Sequence, residues 1–219
     1  MIRENVEKVR QRIFNACAKA GIDPSKITLL CVTKGRSIRE IQEAVNSGVN
    51  QLGENRIQEA LEKYKLIPQA RWQMVGHLQS NKAKDAVKIF DLIHSVDTVA
   101  LAGEINRQAA KINKVQDILL EVKTSPEDSK FGFKETGLFD ACVEIAKLKQ
   151  VAVKGLMTIA PALDSPEQAR PYFSRLRQLR DKINPNWLLS MGMSDDFEIA
   201  IEEGADIVRL GRIIFENNV

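Results

Sequence analysis

The sequence predicts an α/β fold: a single-domain (β/α)8 TIM barrel closed by parallel strands. Three observations carry that expectation. Short apolar, β-branched runs alternate strictly with segments of helical periodicity, eight times over. Strict alternation gives a parallel sheet with helical crossovers, and eight units close it. No linker or break in composition interrupts the 219 residues, so residues 1–219 read as one domain. Glycines and polar residues collect where the strands end, the rim at which such barrels carry their sites. An open doubly wound sheet is the runner-up.

Residues 2–20 place Ile2, Val6, Val9, Ile13 and Cys17 on one helical face. Gly21 and Pro24 end that helix. Residues 27–34, ITLLCVTK, read as a buried strand. Alternation puts Leu30, Val32 and Lys34 on one face and Leu29, Cys31 and Thr33 on the other. Ser37 and Glu40 form a capping box, opening a helix with Ile38, Ile41 and Val45 on one face and Gly48 at its end. Further strands are expected over 51–53, 71–75, 89–95, 118–122, 151–158, 187–189 and 207–210. Helices are expected over 57–66, 79–88, 99–111, 135–149, 166–182 and 197–203, with a short one at the end.

Composition narrows the function. Hydrophobic residues make up 44% and charged residues 28%, an ordinary globular profile. A net charge of +3 is too small to argue for nucleic acid. Cys17, Cys31 and Cys142 are odd in number and form no CxxC, which reads as reduced thiols in a cytoplasmic protein. No run approaches the roughly 18 apolar residues of a membrane helix. The start, MIRENVEKVRQRI, is too charged for a signal peptide. His77 and His94 are the only histidines, too few for a histidine-rich metal site.

Lys34 closes a core strand. Its ammonium either reaches water or is desolvated, and desolvation lowers an amine's pKa. Such an amine attacks carbonyls to form a Schiff base. On the strand alone, a lysine snorkelling to solvent is the simpler reading. The rest of the rim adds Glu54 and Asn55 after strand two, Gly76 and His77 after strand three, and His94, Ser95 and Asp97 after strand four. Ser190, Gly192 and Ser194 follow strand seven, and Arg209, Gly211 and Arg212 close strand eight. Barrels often hold phosphate in the loops after strands seven and eight. Ser194 reads as the N-cap of the helix that follows, whose N-terminus suits an anion. Gly211 lets backbone approach a ligand. Asp195 and Asp196 oppose a phosphate there unless they point outward.

A Schiff-base lysine facing a phosphate site suits pyridoxal 5′-phosphate (PLP). Arg209 shares strand parity with Ile207 and faces inward. A guanidinium keeps its proton, so it would leave the ring nitrogen unprotonated and the ring a poor electron sink. A salt bridge from Arg209 to a rim acid such as Glu54 is the competing reading. Lys63, Lys65, Lys82, Lys84 and Lys88 read as solvated helix faces, able to steer an anion if they line the mouth. His77 reads as a loop hydrogen-bonder, and GLMTIAP as barrel wall.

The chain resembles the pyridoxal-phosphate homeostasis proteins, single-domain relatives of the alanine racemase N-terminal barrel. The matching stretches run in order along nearly all of it: LLCVTKG, LGENRIQEA, WQMVGHLQSNK, HSVD, SKFG, GLMTIAP and LSMGMSDDFEIAIEEGADIVRLG. The resemblance implies that Lys34 carries PLP as an internal aldimine, with Asn55 near the ring. It puts Ser194 and Gly211 at the phosphate and Arg209 at the pyridine nitrogen. It implies a protein that binds and delivers the cofactor without turnover, linked to amino-acid and keto-acid balance, with PLP-dependent apo-enzymes as recipients. Three departures stand out. Gln73 replaces the family's usual histidine, Arg212 replaces a small or hydroxyl residue, and IIFENNV lacks the usual glycine. The alternative is an amino-acid racemase, which needs a base on each face of the substrate. Tyr64 and Tyr172 both fall in predicted helices, and with no second domain evident a monomer is expected. A cofactor-free Schiff-base aldolase is a third reading.

Overall fold

The structure, a computed structural model, describes residues 1–125 and 131–216. Eight parallel strands form a closed barrel in sequence order. They are β1 (Thr28–Val32), β2 (Gln51–Glu54), β3 (Arg71–Met74), β4 (Leu92–Val96), β5 (Gln116–Glu121), β6 (Val151–Met157), β7 (Leu188–Ser190) and β8 (Ile207–Leu210). The ring closes where β1 pairs with β8, setting Leu30 opposite Arg209.

The helices pack outside: α1 (Ile2–Ala20), α2 (Ile38–Asn46), α3 (Ile57–Leu66), α4 (Ala83–Ile89), α5 (Val99–Ala110), α6 (Glu135–Ile145), α7 (Arg170–Ile183), α8 (Phe197–Glu202) and α9 (Arg212–Phe215). Local chemistry sets their ends. Gly21 closes α1 at φ 68°, a left-handed turn that glycine adopts without strain. Ser37 Oγ accepts from Glu40 N, and Glu40 Oε2 accepts from Ser37 N at 2.8 Å, so α2 opens on the expected capping box.

Strand alternation divides the core in two. Leu30, Leu92, Leu119, Met157 and Ile207 fill the barrel, with Val32 packed against them. Cys31, Trp72, Phe90, Phe173 and Phe197 fill the layer between strands and helices. Leu30 and Val32 thus face the interior, as the pattern of β1 predicts.

Several boundaries differ from the sequence reading. The helix expected over 166–182 splits into a 3-10 turn, Pro166–Ala169, and α7. Pro171 is the cause: it is tolerated in a helix's first turn but breaks a ladder that begins five residues earlier. The helix expected over 79–88 likewise begins with a 3-10 turn, Ser80–Lys82. α4 continues to Ile89, which is buried, so β4 starts only at Leu92. Lys63 is not solvated. Its Nζ lies 2.6 Å from Glu54 Oε1 and donates to Thr33 O at 2.7 Å, sealing the layer between β1, β2 and α3. Ser129 and Lys130 of SKFG, and Asn217 to Val219 of IIFENNV, lie outside the described residues. Among the described residues, no helix is long and apolar enough to cross a membrane.

Candidate functional site

A cavity of about 470 Å³ opens at the carboxyl ends of the strands. Lys34, Asn55, Ser194, Arg209 and Gly211 all line it. The structure therefore brings together every site residue expected from the sequence. Val32, Val75 and Ile159 supply apolar wall between the polar groups.

Lys34 lies two residues beyond β1. Thr33 N still donates to Gly53 O at 2.9 Å, so the chain keeps its direction past the strand. Lys34 follows the inward parity of Leu30 and Val32 at the level where the barrel opens. Its side chain is exposed, so of the two fates available to its ammonium the structure shows the hydrated one.

Arg209 is only 5% exposed. Burial pushes its guanidinium down to about 10, against the opposing pull of Asp196 and Glu121, which leaves it charged near neutral pH. It does not pair with Glu54, whose carboxylate is held by Lys63 and by the Thr33 hydroxyl at 2.6 Å. Arg209 Nη1 instead donates to Ser190 Oγ (2.7 Å) and Nη2 to Thr158 O (2.8 Å). Its other N–H groups remain for the cavity.

That contact is one end of a hydrogen-bonded line through the barrel. Ser190 Oγ is 2.9 Å from His94 Nδ1, and His94 Nε2 is 2.6 Å from Gln73 Oε1. Gln73 Nε2 donates to Gln51 Oε1 at 2.7 Å. An amide oxygen can only accept, which sets the direction: His94 Nε2–H donates to Gln73 and Gln73 Nε2 to Gln51, so the Nδ1 of a neutral His94 accepts from Ser190, which itself accepts from Arg209. His94 is fully buried beside the Arg209 charge, and both effects hold its imidazole well below the usual range. It is neutral and protonated on Nε2. The sequence reading put His94 on the rim; it lies inside β4 instead, because that strand starts late.

Ser194 is the other correction. It does not cap α8, whose N-cap is Asp196. Met193 N donates to Asp196 Oδ1 at 2.6 Å, and Ser194 Oγ faces Ile213 N at 3.5 Å. The hydroxyl thus sits between the loop after β7 and the turn after β8. Asp195 pairs with Arg212 and is not itself among the lining residues. Gly211 answers a packing need: a Cβ there would lie 3.1 Å from Val32 O.

Sequence reasoning missed Arg36, Met193 and Glu216, which also line the cavity. Arg36 pairs with Glu216 at 2.5 Å. Arg36 carried a usable signal, since it follows Lys34 by two in the loop after β1. Glu216 carried none, because it reaches the mouth only through the turn of α9. Among the described residues four cations, Lys34, Arg36, Arg209 and Arg212, line the cavity against one lining carboxylate, Glu216, and Asp195 pairs with Arg212 from beside it, so the lining charge is still positive and the mouth favours an anion.

The fold and site define a closed βα barrel with an amine, a buried guanidinium and a hydroxyl around one anion-favouring mouth. The family model described as "Alanine racemase, N-terminal domain" matches residues 1–218. The chain is 43% identical to the "Pyridoxal phosphate homeostasis protein" of Aquifex aeolicus, covering 97% of this chain and 96% of the relative. It is 34% identical to the protein of that name from Escherichia coli, covering 98% and 95%. Among solved structures it resembles PipY of Synechococcus elongatus with PLP bound, at TM-score 0.86 and 33% identity over 99% of this chain and 100% of that one. The chain belongs to the pyridoxal phosphate homeostasis family, within the alanine racemase N-terminal fold.

Proposed function

We propose that this chain binds PLP at the barrel mouth, holds it covalently through Lys34, and serves cofactor homeostasis as a carrier without turnover. One observation carries the reading: Lys34, Asn55, Ser194, Arg209 and Gly211 line a single cavity. The residues fit the group. The cavity, at about 470 Å³, is of the size that holds small ligands. The excess of lining cations suits a phosphate dianion, and Arg209 offers donors that its protein partners do not use. When bound, the cofactor supplies an electrophilic aldehyde on a ring that can withdraw electrons.

The chain's own groups have separate tasks. Lys34 Nζ would be the amine that holds the aldehyde carbon. Arg209, which keeps its proton, would donate to the pyridine nitrogen and so limit electron withdrawal. Asn55 would lie by the ring. Ser194, the backbone at Gly211 and the charge of Arg212 would hold the phosphate end, and Val32, Val75 and Ile159 would pack against the apolar part.

A racemase needs a second base on the far face; among the described residues the cavity lining holds no tyrosine, histidine or cysteine, and His77, in the recess beside Lys34, is stacked on Phe131 with its Nδ1 3.3 Å from Asp97. The one lining carboxylate, Glu216, is tied to Arg36. Tyr64 lies in α3 and Tyr172 in α7, packed against the outer core. The carrier is proposed to act as a monomer. Its exposed lysine supports delivery to apo-enzymes that use PLP.

The test is direct. The purified protein is incubated with PLP, reduced with borohydride and digested, and the modified lysine is located. The reading expects a yellow protein tagged on Lys34, and no colour in Lys34→Ala. A tag elsewhere refutes the site; rapid racemization of alanine by the native protein refutes the carrier.

A further inference from the structure

We propose that Met193 is an oxidation site, and that its conversion to the sulfoxide weakens the hold on the cofactor at the phosphate end of the cavity. The inference rests on the reading that this cavity holds PLP, and it adds a redox control over that binding.

The chain has five methionines. Met74, Met157 and Met191 are at most 1% exposed and packed in the two core layers. Met1 is exposed but is not among the residues lining the cavity. Met193 alone combines the two properties: it is 38% exposed and it lines the cofactor cavity. Oxidation of a thioether follows its exposure, so an oxidant entering the mouth meets this sulfur and not the buried three.

The backbone presents the side chain. Met193 N donates to Asp196 Oδ1 at 2.6 Å, and Met193 O accepts from Phe197 N at 2.9 Å. Both polar groups of its own backbone are taken, so the side chain is what this residue offers to the cavity and to solvent. On one side Gly192, at φ 89°, packs so closely that a Cβ would lie 2.5 Å from that of Ala200. On the other, Ser194 is buried with its hydroxyl toward Ile213 N. The loop is held on both flanks, so a change in the Met193 side chain is felt in the cavity and is not relieved by the loop.

Its neighbours give the change a consequence. Ser194, Gly211 and Arg212 line the same cavity, and these are the groups that would hold the phosphate. A thioether is a weak acceptor, whereas a sulfoxide is polar. A sulfoxide oxygen at this end repels the phosphate oxygens and competes for the donors of Ser194 and Arg212. The co-reactant is a hydroperoxide, hydrogen peroxide being the simplest. A lone pair of Met193 Sδ attacks one peroxide oxygen. The S–O bond forms, the O–O bond breaks, and the departing hydroxide takes the proton of the transferred oxygen and leaves as water. Sulfur loses two electrons and the peroxide gains them. The thiols are poorer targets: Cys17 and Cys31 are buried, and burial pushes Cys142 up to about 11, which leaves little thiolate to react.

The experiment uses full-length protein free of cofactor. It is treated with hydrogen peroxide, quenched with catalase and titrated with PLP, with the visible band as readout, and peptide mass spectrometry locates the added oxygen. We expect Met193 to gain oxygen ahead of Met74, Met157 and Met191. The Kd for PLP should rise about tenfold, the scale of one lost hydrogen bond to a charged group, and methionine sulfoxide reductase should restore it. Protein loaded with PLP before treatment should be oxidised more slowly at Met193. In Met193→Leu, peroxide should leave the Kd at that variant's own starting value. The inference is overturned by a Met193 sulfoxide with unchanged Kd, by an equal loss in Met193→Leu, by oxidation of Met193 no faster than of the buried methionines, or by equal rates with and without PLP. If Met193→Leu binds too weakly to titrate, the reductase arm decides, and a Kd that stays high once the sulfoxide is reduced overturns the inference. A wild type that forms no visible band before any peroxide is added overturns the underlying reading as well, and is told apart by that order.

Discussion

His94 gives the sharpest test of the buried line. Its imidazole is fully buried and held well below its ordinary range, whereas in the unfolded chain it titrates near 6.5. Unfolding on the acid side of that value therefore takes up a proton that the folded state refuses, and stability falls as pH drops through about 6.5. If the folded ring takes no proton down to about pH 5.5, acidification from about pH 7.5 costs about 1.4 kcal/mol at this residue alone. Wild type by itself would hide the effect. Burial and the nearby Asp97 push Glu121 up to about 7, and an acid raised in the folded state contributes stability that is lost as pH rises toward and through 7. Over the same window its slope has the opposite sign and a similar size. The assay is thus a difference: urea unfolding of wild type and His94→Gln at both pH values. Glutamine can still donate to Gln73 and accept from Ser190, and the Glu121 contribution cancels between the two proteins. Wild type should lose about 1.4 kcal/mol more than the variant on acidification. Parallel pH profiles would refute a buried neutral His94, and with it the direction assigned to the whole line.

Two further substitutions test the scaffold of the site. Lys63→Ala leaves the fully buried Glu54 carboxylate without its cation and should cost about 3–5 kcal/mol in denaturant unfolding; a loss below about 1 kcal/mol would mean the pair is solvated. Gly76→Ala puts a methyl within 2.4 Å of Asn55 O, so it should cost about 1–3 kcal/mol and weaken PLP binding by displacing Asn55, read by titration of the visible band. Unchanged binding there would remove Asn55 from the site.

What could be read from the sequence was what is local and periodic. The alternation of ITLLCVTK fixed the inward face of Leu30, Val32 and Lys34 without any knowledge of neighbours. The capping box at Ser37 was equally legible, because both partners lie within one turn. The errors fall where the deciding partner is distant or where several local choices compete. In the run Ser194, Asp195, Asp196 any of the three can cap a helix, and the choice went to Asp196 because the loop after β7 turns Ser194 toward Ile213 of α9. Lys63 looked like one more lysine on a polar helix face. Its carboxylate partner, Glu54, lies on β2, and nothing in the spacing says that the two meet under Thr33.

The polar line through the barrel could not be read at all, since it needs the register of five strands at once, yet it explains one departure from the family pattern. Gln73 stands where the family resemblance leads one to expect a histidine. The position must offer an acceptor toward His94 and a donor toward Gln51, and a primary amide has one of each at fixed places. A histidine could do the same only in one tautomer, set by its neighbours. Glutamine therefore keeps the order of donors and acceptors and adds no second titratable ring to the interior. Arg209 is untouched by the change, because its own partner is the hydroxyl of Ser190. The substitution at 73 thus alters the far end of the line while leaving the guanidinium that faces the cavity held as before, and a Gln73→His variant should shift the pH dependence of stability without moving the absorbance of bound PLP.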